Sequence, residues 1–346
     1  MIESLKIKNF KNLNGLEIPK LSQINLIAGK NNVGKSTLLE AIAIYSNPSQ
    51  IIKILEERGE FSPFIDKNEI EIINQNTNAF SSLFTDRNEE VSENNVIEIS
   101  DKNNSLSIKF SYSIPDTYIE DIQKIIEITT QDLSKSILYL NLPTNSLFKR
   151  LDSNNNSNTI IRLSTKLLND IQIAQLFDKI TLTEKEDNVI EALQIIEENI
   201  ERLVFIGENP YRDRVPIVKL RGNNKRFPLK SMGDGINHIL TIILALVNCE
   251  NGYLLIDEID NGLHYSVQEE LWKVIFELSK KLNIQVFATT HSNDCINSFT
   301  EVLQESNNAS IGSYYRIQKR KSGRIELVEY NAEELSSVSE HNIEIR

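Results

Sequence analysis

Gly29-Lys30-Asn31-Asn32-Val33-Gly34-Lys35-Ser36 fits the pattern G-x-x-x-x-G-K-[ST], and its flanks decide how the chain is built. An apolar stretch with strand character, Gln23 to Ala28, runs into it. Lys35 to Tyr45 follows and reads as a helix with Leu38, Leu39, Ile42 and Ala43 on one face. A strand that passes through a glycine-bounded loop into a helix is suited to hold phosphate. The glycines let successive backbone N–H groups of Asn31, Asn32, Val33 and Gly34 curl around phosphate oxygens. Lys35 supplies a point charge for the β- and γ-phosphates, and Ser36 a hydroxyl ligand for Mg²⁺. The helix that carries Ser36 and Thr37 aims its positive end at the anion.

Three more segments carry chemistry. Tyr253-Leu254-Leu255-Ile256-Asp257-Glu258 is an apolar strand ending in two carboxylates. Asp257 is placed to hold Mg²⁺ and Glu258 to polarise an attacking water as general base. Ala288-Thr289-Thr290-His291-Ser292 closes the next apolar strand, where ligands of parallel sheets collect. His291 is therefore a candidate to sense the γ-phosphate by hydrogen bonding. Ser231-Met232-Gly233-Asp234-Gly235 precedes a helix, and small residues there expose N–H groups to an anion.

Around these motifs the chain alternates strand and helix. Val215–Leu220, Gly252–Asp257, Ile284–Thr289, Ser313–Gln318 and Ile325–Tyr330 read as strands, and so does Ile2–Phe10. Gly235–Val247, Ser266–Leu282 and Asn293–Glu305 read as helices. Val96–Ser100 and Ser105–Ser113 read as a hairpin, because Leu106, Ile108, Phe110 and Tyr112 alternate with polar residues. From Pro115 to Arg202 the pattern reads as mostly helical, clearest over Ile160–Phe177 and Glu184–Arg202, with Ser153–Asn158 a polar surface loop. The expectation is an α/β fold with a largely parallel core sheet, an antiparallel β subdomain and a helical insertion. Its parts are an N-terminal lobe (1–114), the insertion (115–202) and a C-terminal lobe (203–346).

Composition sets bounds. The 346 residues are 40 % apolar and carry a net charge of −12, the opposite of a dedicated nucleic-acid binder. Two basic clusters stand against that background. One comprises Arg202, Arg212, Arg214, Lys219, Arg221, Lys225, Arg226 and Lys230; the other Arg316, Lys319, Arg320, Lys321 and Arg324. Either is first a solvated face, and nucleic acid stays open as a partner. No apolar run is long enough to span a bilayer and the opening residues alternate polar and apolar, so a cytoplasmic protein without a membrane partner is expected. Cys249 and Cys295 form no C-x-x-C pair and read as ordinary thiols.

Taken in order, the motifs resemble the ABC-type P-loop ATPase heads of the SMC, Rad50, RecF and OLD group, and most closely stand-alone bacterial AAA15/OLD-like ATPases, several of which act in anti-phage defence. Leu5-Lys6-Ile7-Lys8-Asn9-Phe10-Lys11-Asn12 matches the group's opening strand and turn. Lys35, Ser36, Asp257 and Glu258 match the two Walker motifs, Ser231 and Gly233 the signature, and Thr290-His291-Ser292 the switch region. Asn261-Gly262-Leu263-His264 stands where OLD-like proteins carry a Leu-His segment. Met232, Asp234 and Ile259 depart from the usual glycine, glutamine and proline, and Gln75 is one candidate for the Q-loop glutamine.

The resemblance implies an ATPase that uses ATP and Mg²⁺, with Lys11 approaching the nucleotide. It also implies a homodimer, or a higher assembly of dimers, in which Ser231 and Gly233 of one subunit complete the site of the other. After Tyr330 only the stretch to Arg346 remains, so an effector such as a nuclease is expected as a separate chain. The absence of a long coiled coil disfavours an SMC or Rad50 assignment. A RecF-like DNA-clamping ATPase, a slowly hydrolysing scaffold and a transporter ATPase remain as alternatives to a defence ATPase that gates an effector.

Overall fold

The computed structural model describes residues 1–61, 68–113, 122–131, 134–144, 146–147, 158–165, 168–207, 214–223, 225–305, 308–331 and 334–335. Arg212 and most of the expected 153–158 loop lie outside them. Three strands carry the motifs: β3 (Ile24–Ala28), β12 (Tyr253–Ile256) and β13 (Gln285–Thr290). They pair parallel in the order β3, β13, β12, with Ala28 opposite Thr290 and Ala288 opposite Ile256. β8 (Ile160–Leu163) extends the sheet in parallel beside β12, and β14 (Gly312–Lys319) does so beside β3. β15 (Ile325–Tyr330) closes that edge antiparallel.

This sheet separates two cores. On one face, Leu26, Leu254, Ile256 and Val286 pack with α4 (Asp170–Asp178), α5 (Glu184–Ile196), α6 (Asp234–Asn248), α7 (Gln268–Leu282) and α8 (Asn293–Gln304). On the other, Ile27, Leu255, Phe287 and Tyr315 pack with α1 (Lys35–Ser46), α2 (Gln50–Glu57) and α3 (Glu69–Ser81). An all-antiparallel second sheet shares that second core. Its order is β2 (Leu16–Ile18), β1 (Leu5–Lys8), β4 (Val96–Ser100), β5 (Ser105–Ser113), β6 (Gln123–Thr130) and β7 (Lys135–Tyr139). Full burial of both faces explains why the core strands read as continuous apolar runs rather than alternating ones. A small antiparallel sheet of β9 (Ile200–Ile206), β10 (Val215–Leu220) and β11 (Arg226–Pro228) leads into α6. Cys249 and Cys295 are buried thiols that burial pushes up to about 12, in keeping with ordinary core cysteines. Among the described residues no helix is long and apolar enough to cross a membrane.

The helical character expected over 115–202 is narrower than its pattern suggested. Among the described residues it is found in α4, α5 and a short piece at 144 and 146–147, while β6, β7, β8 and the start of β9 supply strands. Gln123–Thr130 is dense in Ile and Thr, which favour a pleated surface. Ile160–Phe177 divides because β8 finds a parallel partner in β12, after which Asn169 and Gln172 start a helix with a capping box. Glu184–Arg202 divides in the same way at Ile196, since Ile200 begins the pairing with β10.

β8 is seated by a close approach. A Cβ on Gly252 would lie 2.2 Å from the Thr159 carbonyl oxygen. Gly252→Ala must push β8 off β12, and urea denaturation should register a loss of about 1–3 kcal/mol.

Candidate active site

The loop after β3 turns tightly beneath β14. A Cβ on Gly29 would meet the Ile317 carbonyl oxygen at 2.6 Å, so glycine alone fits. Gly34 has φ of 107° and packs against Asn12 and Leu13 of the β1–β2 turn, while Asn32 also takes a left-handed φ of 64°. Asn31 and Asn32 are exposed, Val33 and Thr37 half-buried, and Ser36 opens α1 facing solvent. Lys35 is buried, and its Nζ donates to the carbonyls of Gly29 at 2.7 Å and Lys30 at 3.1 Å. Burial holds its pKa below the ordinary lysine value, and Glu258, Asp257 and Asp260 push the other way. The ammonium is thus held by carbonyls of its own loop.

Parallel register brings the other candidates to the same edge. Thr289 Oγ1 donates to Asp257 Oδ1 at 2.6 Å and accepts from the Glu258 backbone N–H at 2.9 Å. The Ile259 N–H donates to the Thr289 carbonyl at 3.0 Å. One threonine therefore fixes the whole carboxylate turn to β13. Glu258 itself has a left-handed φ of 54°, a strained choice for a side chain of its size. Across the strand ends His291 Nδ1 stands 3.8 Å from Glu258 Oε1, with both side chains partly open to solvent. Ser292 behind it caps α8.

Ser36 and Asp257 line one cavity of about 290 Å³. Its other walls include Glu40, Arg58, Arg162, Ser164 and Thr165, none of which a sequence motif singled out. Leu163 accepts from the Asp257 N–H at 2.9 Å, so Ser164 follows β8 at the level of Asp257. Only the pairing of β8 with β12 could reveal this; Gln75 lies in α3 and does not line the cavity. Lys11 is reached through Glu40. Its Nζ pairs with Glu40 Oε2 at 2.8 Å, and Arg58 grips both oxygens of the same carboxylate at 2.6 and 2.7 Å. Lys11 and Glu40 are nearly solvent-free, at 9 % and 6 % exposure.

Ser231 and Gly233 are not drawn to this edge by any contact of their own chain. Ser231 is exposed and donates to the Pro228 carbonyl at 2.7 Å. Gly233, with φ of 122°, precedes α6, whose N-terminus has no side-chain cap, and nothing lies within 4 Å of a Cβ placed there. His264 is exposed, bonded to Ser266 and stacked on Tyr265.

A phosphate loop, a carboxylate turn and a histidine stand at the ends of adjacent parallel strands, backed by an antiparallel sheet, the arrangement of an AAA-type domain. A family model described as "AAA domain, putative AbiEii toxin, Type IV TA system" matches residues 24–296, and the chain belongs to that family. An ATP/GTP phosphatase of Helicobacter pylori is 26% identical over 340 residues, covering 88% of this chain and 89% of that protein. An uncharacterized protein of Methanocaldococcus jannaschii is 34% identical over 148 residues, 37% of this chain and 68% of that one. Among solved structures, an Smc head bound to the C-winged helix domain of ScpA superposes with a TM-score of 0.53 at 16% identity, over 96% of this chain and 98% of that one. The likeness is one of fold.

The Glu40 hub sets apart this ion-pair network from surface pairs such as Lys6–Glu17, whose exposed partners contribute about 1 kcal/mol at most. Glu40→Gln strands the buried Lys11 ammonium and should cost about 3–5 kcal/mol at neutral pH. Lys11 is already held below the ordinary lysine value of 10.5 by burial, and losing its carboxylate lowers it further. The folded state then binds fewer protons than the unfolded one, so the deficit should shrink as pH rises toward 10.5, which urea titrations at stepped pH will show.

Proposed function

We propose that this chain hydrolyses ATP with Mg²⁺ at sites completed by a second copy of itself. The observation that carries the reading is the convergence of Lys35, Ser36, Asp257, Glu258 and His291 at one end of the parallel sheet. In this reading the loop N–H groups from Asn31 to Gly34, with those of Ser36 and Thr37, cradle the phosphates, and Lys35 leaves its two carbonyls to meet them. Ser36 and Asp257 would hold Mg²⁺, and Ser164 lines the same cavity. The metal supplies charge neutralisation at the phosphate oxygens. Glu258 accepts the proton of the attacking water, and His291 donates toward the γ-phosphate. Lys11 supports the same pocket through Glu40. The donor set suits this metal: one hydroxyl and one carboxylate, from Ser36 and Asp257 on one cavity, match the few hard oxygen ligands that Mg²⁺ takes from protein, with water and phosphate completing the shell.

The second copy is inferred from α6. A 15-residue helix whose N-terminus no described side chain caps favours an anion there, yet the phosphate loop of the same chain opens α1 instead. The γ-phosphate held by another copy supplies that anion, placing Ser231 and Gly233 on it. We further propose that the ATP-bound dimer, or an assembly of dimers, gates a separate effector protein such as a nuclease in antiviral defence. The family description, which names a toxin of a toxin–antitoxin system, supports an effector role, and the Smc head's ScpA partner supports docking of a second protein.

A DNA-clamping reading draws on the second basic cluster. Lys319, Arg320, Lys321 and Arg324 are exposed on the β14–β15 hairpin, which Arg324 ties to the Gly15 carbonyl beside the phosphate loop. DNA-stimulated turnover that Lys319→Glu with Lys321→Glu removes would favour it over effector gating.

Lys35→Ala should abolish tight ATP binding and turnover with the fold intact by circular dichroism. Glu258→Gln should slow turnover by about 10²–10⁴-fold while ATP binding persists and the ATP-bound dimer lives longer. Near-normal hydrolysis by either variant overturns the assignment of that residue.

Ser231→Arg should block dimer closure without affecting the subunit's own nucleotide affinity. Mixed with Lys35→Ala it forms dimers in which one site carries both lesions and the other neither. Recovery of activity on mixing is the expected outcome. A structure with a non-hydrolysable analogue in which Ser231 touches no γ-phosphate of any subunit excludes the composite site.

A further inference from the structure

A second cavity, of about 520 Å³, lies at the far ends of α1 and β12 from the phosphate loop and the carboxylate turn. α1 starts at Lys35 and ends at Ser46, and Tyr45 and Ser46 stand in the wall of this cavity. β12 starts at Tyr253, also in the wall, and ends at Ile256 beside Asp257. The two cavities share no lining residue. The walls of the second favour one sign of charge. Asp101 is the only charged side chain on them, and no Lys, Arg or His lines the space. The C-terminal end of α1, with no basic residue in its last turn, adds the negative end of a helix dipole. The Tyr45 hydroxyl is buried and makes no hydrogen bond of normal geometry. Burial, and then the Asp101 carboxylate, raise both Tyr45 and Tyr253 above the ordinary tyrosine pKa, so both phenols stay neutral. A buried hydroxyl without a partner is costly, and phenylalanine would fill the place of Tyr45 without that cost.

Between these polar groups the walls are apolar, with Ile2, Pro48, Leu106 and Ile128. A bare inorganic cation gains nothing from such surface, and a neutral polyol gains nothing from the negative end. Methylenes that carry ammonium groups suit both. We propose that this cavity is a binding site for a small organic ammonium compound of the linear polyamine type. One ammonium pairs with Asp101 and donates to the Tyr45 oxygen, while a second faces the C-terminal end of α1. The methylenes between them lie over Ile2, Leu106 and Ile128, and the tyrosine rings add cation–π attraction. The volume falls within the range of small-molecule sites. Met1 also borders the space, and an occupant must outcompete its amine for Asp101. The site does not depend on the nucleotide reading above.

The test is calorimetric titration of the full-length, nucleotide-free protein with spermidine at about 0.15 M salt, which screens diffuse attraction to an acidic surface. One saturable site per chain is expected. Tyr45→Phe and Asp101→Asn should each weaken it by about tenfold or more. Asp101→Asn keeps an oxygen for the β4–β5 turn, where Asp101 Oδ1 accepts from the Asn103 and Asn104 N–H groups at 2.7 and 2.6 Å. Glu17→Gln removes an exposed carboxylate elsewhere and should leave affinity within about twofold. Urea denaturation without ligand should find Tyr45→Phe no less stable than the parent; a lower stability shows that the hydroxyl already has its partner inside the protein and overturns the proposal. The absence of saturable binding overturns it too. Equal losses in Glu17→Gln and Asp101→Asn mark general attraction to a chain of net charge −12, and binding that both cavity variants leave unchanged puts the cation elsewhere. Either result overturns the site. Binding of sorbitol in place of spermidine overturns the ligand class. Should Asp101→Asn fail to fold, Asn104→Lys replaces it: this exposed residue lines the same cavity, and a lysine ammonium there must abolish spermidine binding.

Discussion

The parallel pairing of β3, β13 and β12 is the constraint on which the rest of the structure depends. Parallel strands all end at the same edge, so one register sets the spacing of three loops at once. Ala28 lies opposite Thr290, and Ala288 opposite Ile256, which leaves the phosphate loop, His291 and the carboxylate turn side by side. A slip of one residue along any of these strands would turn its apolar set from one core to the other. Both faces of the sheet are buried, so such a slip is heavily penalised, and the geometry of the site is protected by the packing beneath it.

Polar contacts then refine what packing sets. Thr289 anchors Asp257 and the strained backbone of Glu258 with one hydroxyl, and Thr290 does the same for Asp260. Strain of the kind seen at Glu258 persists only where its surroundings over-determine it, and here four hydrogen bonds to two threonines of β13 do so. On the α1 side, Glu40 gathers Lys11 and Arg58 in a nearly dry network beneath the cavity that Ser36 and Asp257 line. Buried charges of this sort stabilise only while every partner is present.

The small sheet of β9, β10 and β11 extends this logic outward. It runs directly into the Ser231–Gly233 segment, and its surface shows Val204, Ile206 and Val215 to solvent beside Arg202 and Arg226. Much of the first basic cluster noted in the sequence thus borders an apolar strip on a sheet that leads into α6. The strand β11 ends at Pro228 and a short helical turn, Leu229–Met232, follows it directly before α6.

By itself the sequence determined the elements whose signals are local. The loop Gly29–Ser36, the two apolar strands ending at Asp257 and Thr290, the hairpin at Val96–Ser113 and the helices flanking the motifs are legible because glycine spacing, apolar runs and periodicity are properties of short segments. Tertiary structure alone decided the rest. Ile160–Leu163 becomes a strand because β12 offers it a parallel partner, and its pattern over four residues is too short to favour strand over helix. With that pairing come Arg162, Ser164 and Thr165 beside Asp257, a group that no motif announces. Glu40 as the hub of Lys11 and Arg58 is likewise invisible in sequence. Its role arises from partners 29 and 18 residues away, and only a folded chain brings those partners within reach.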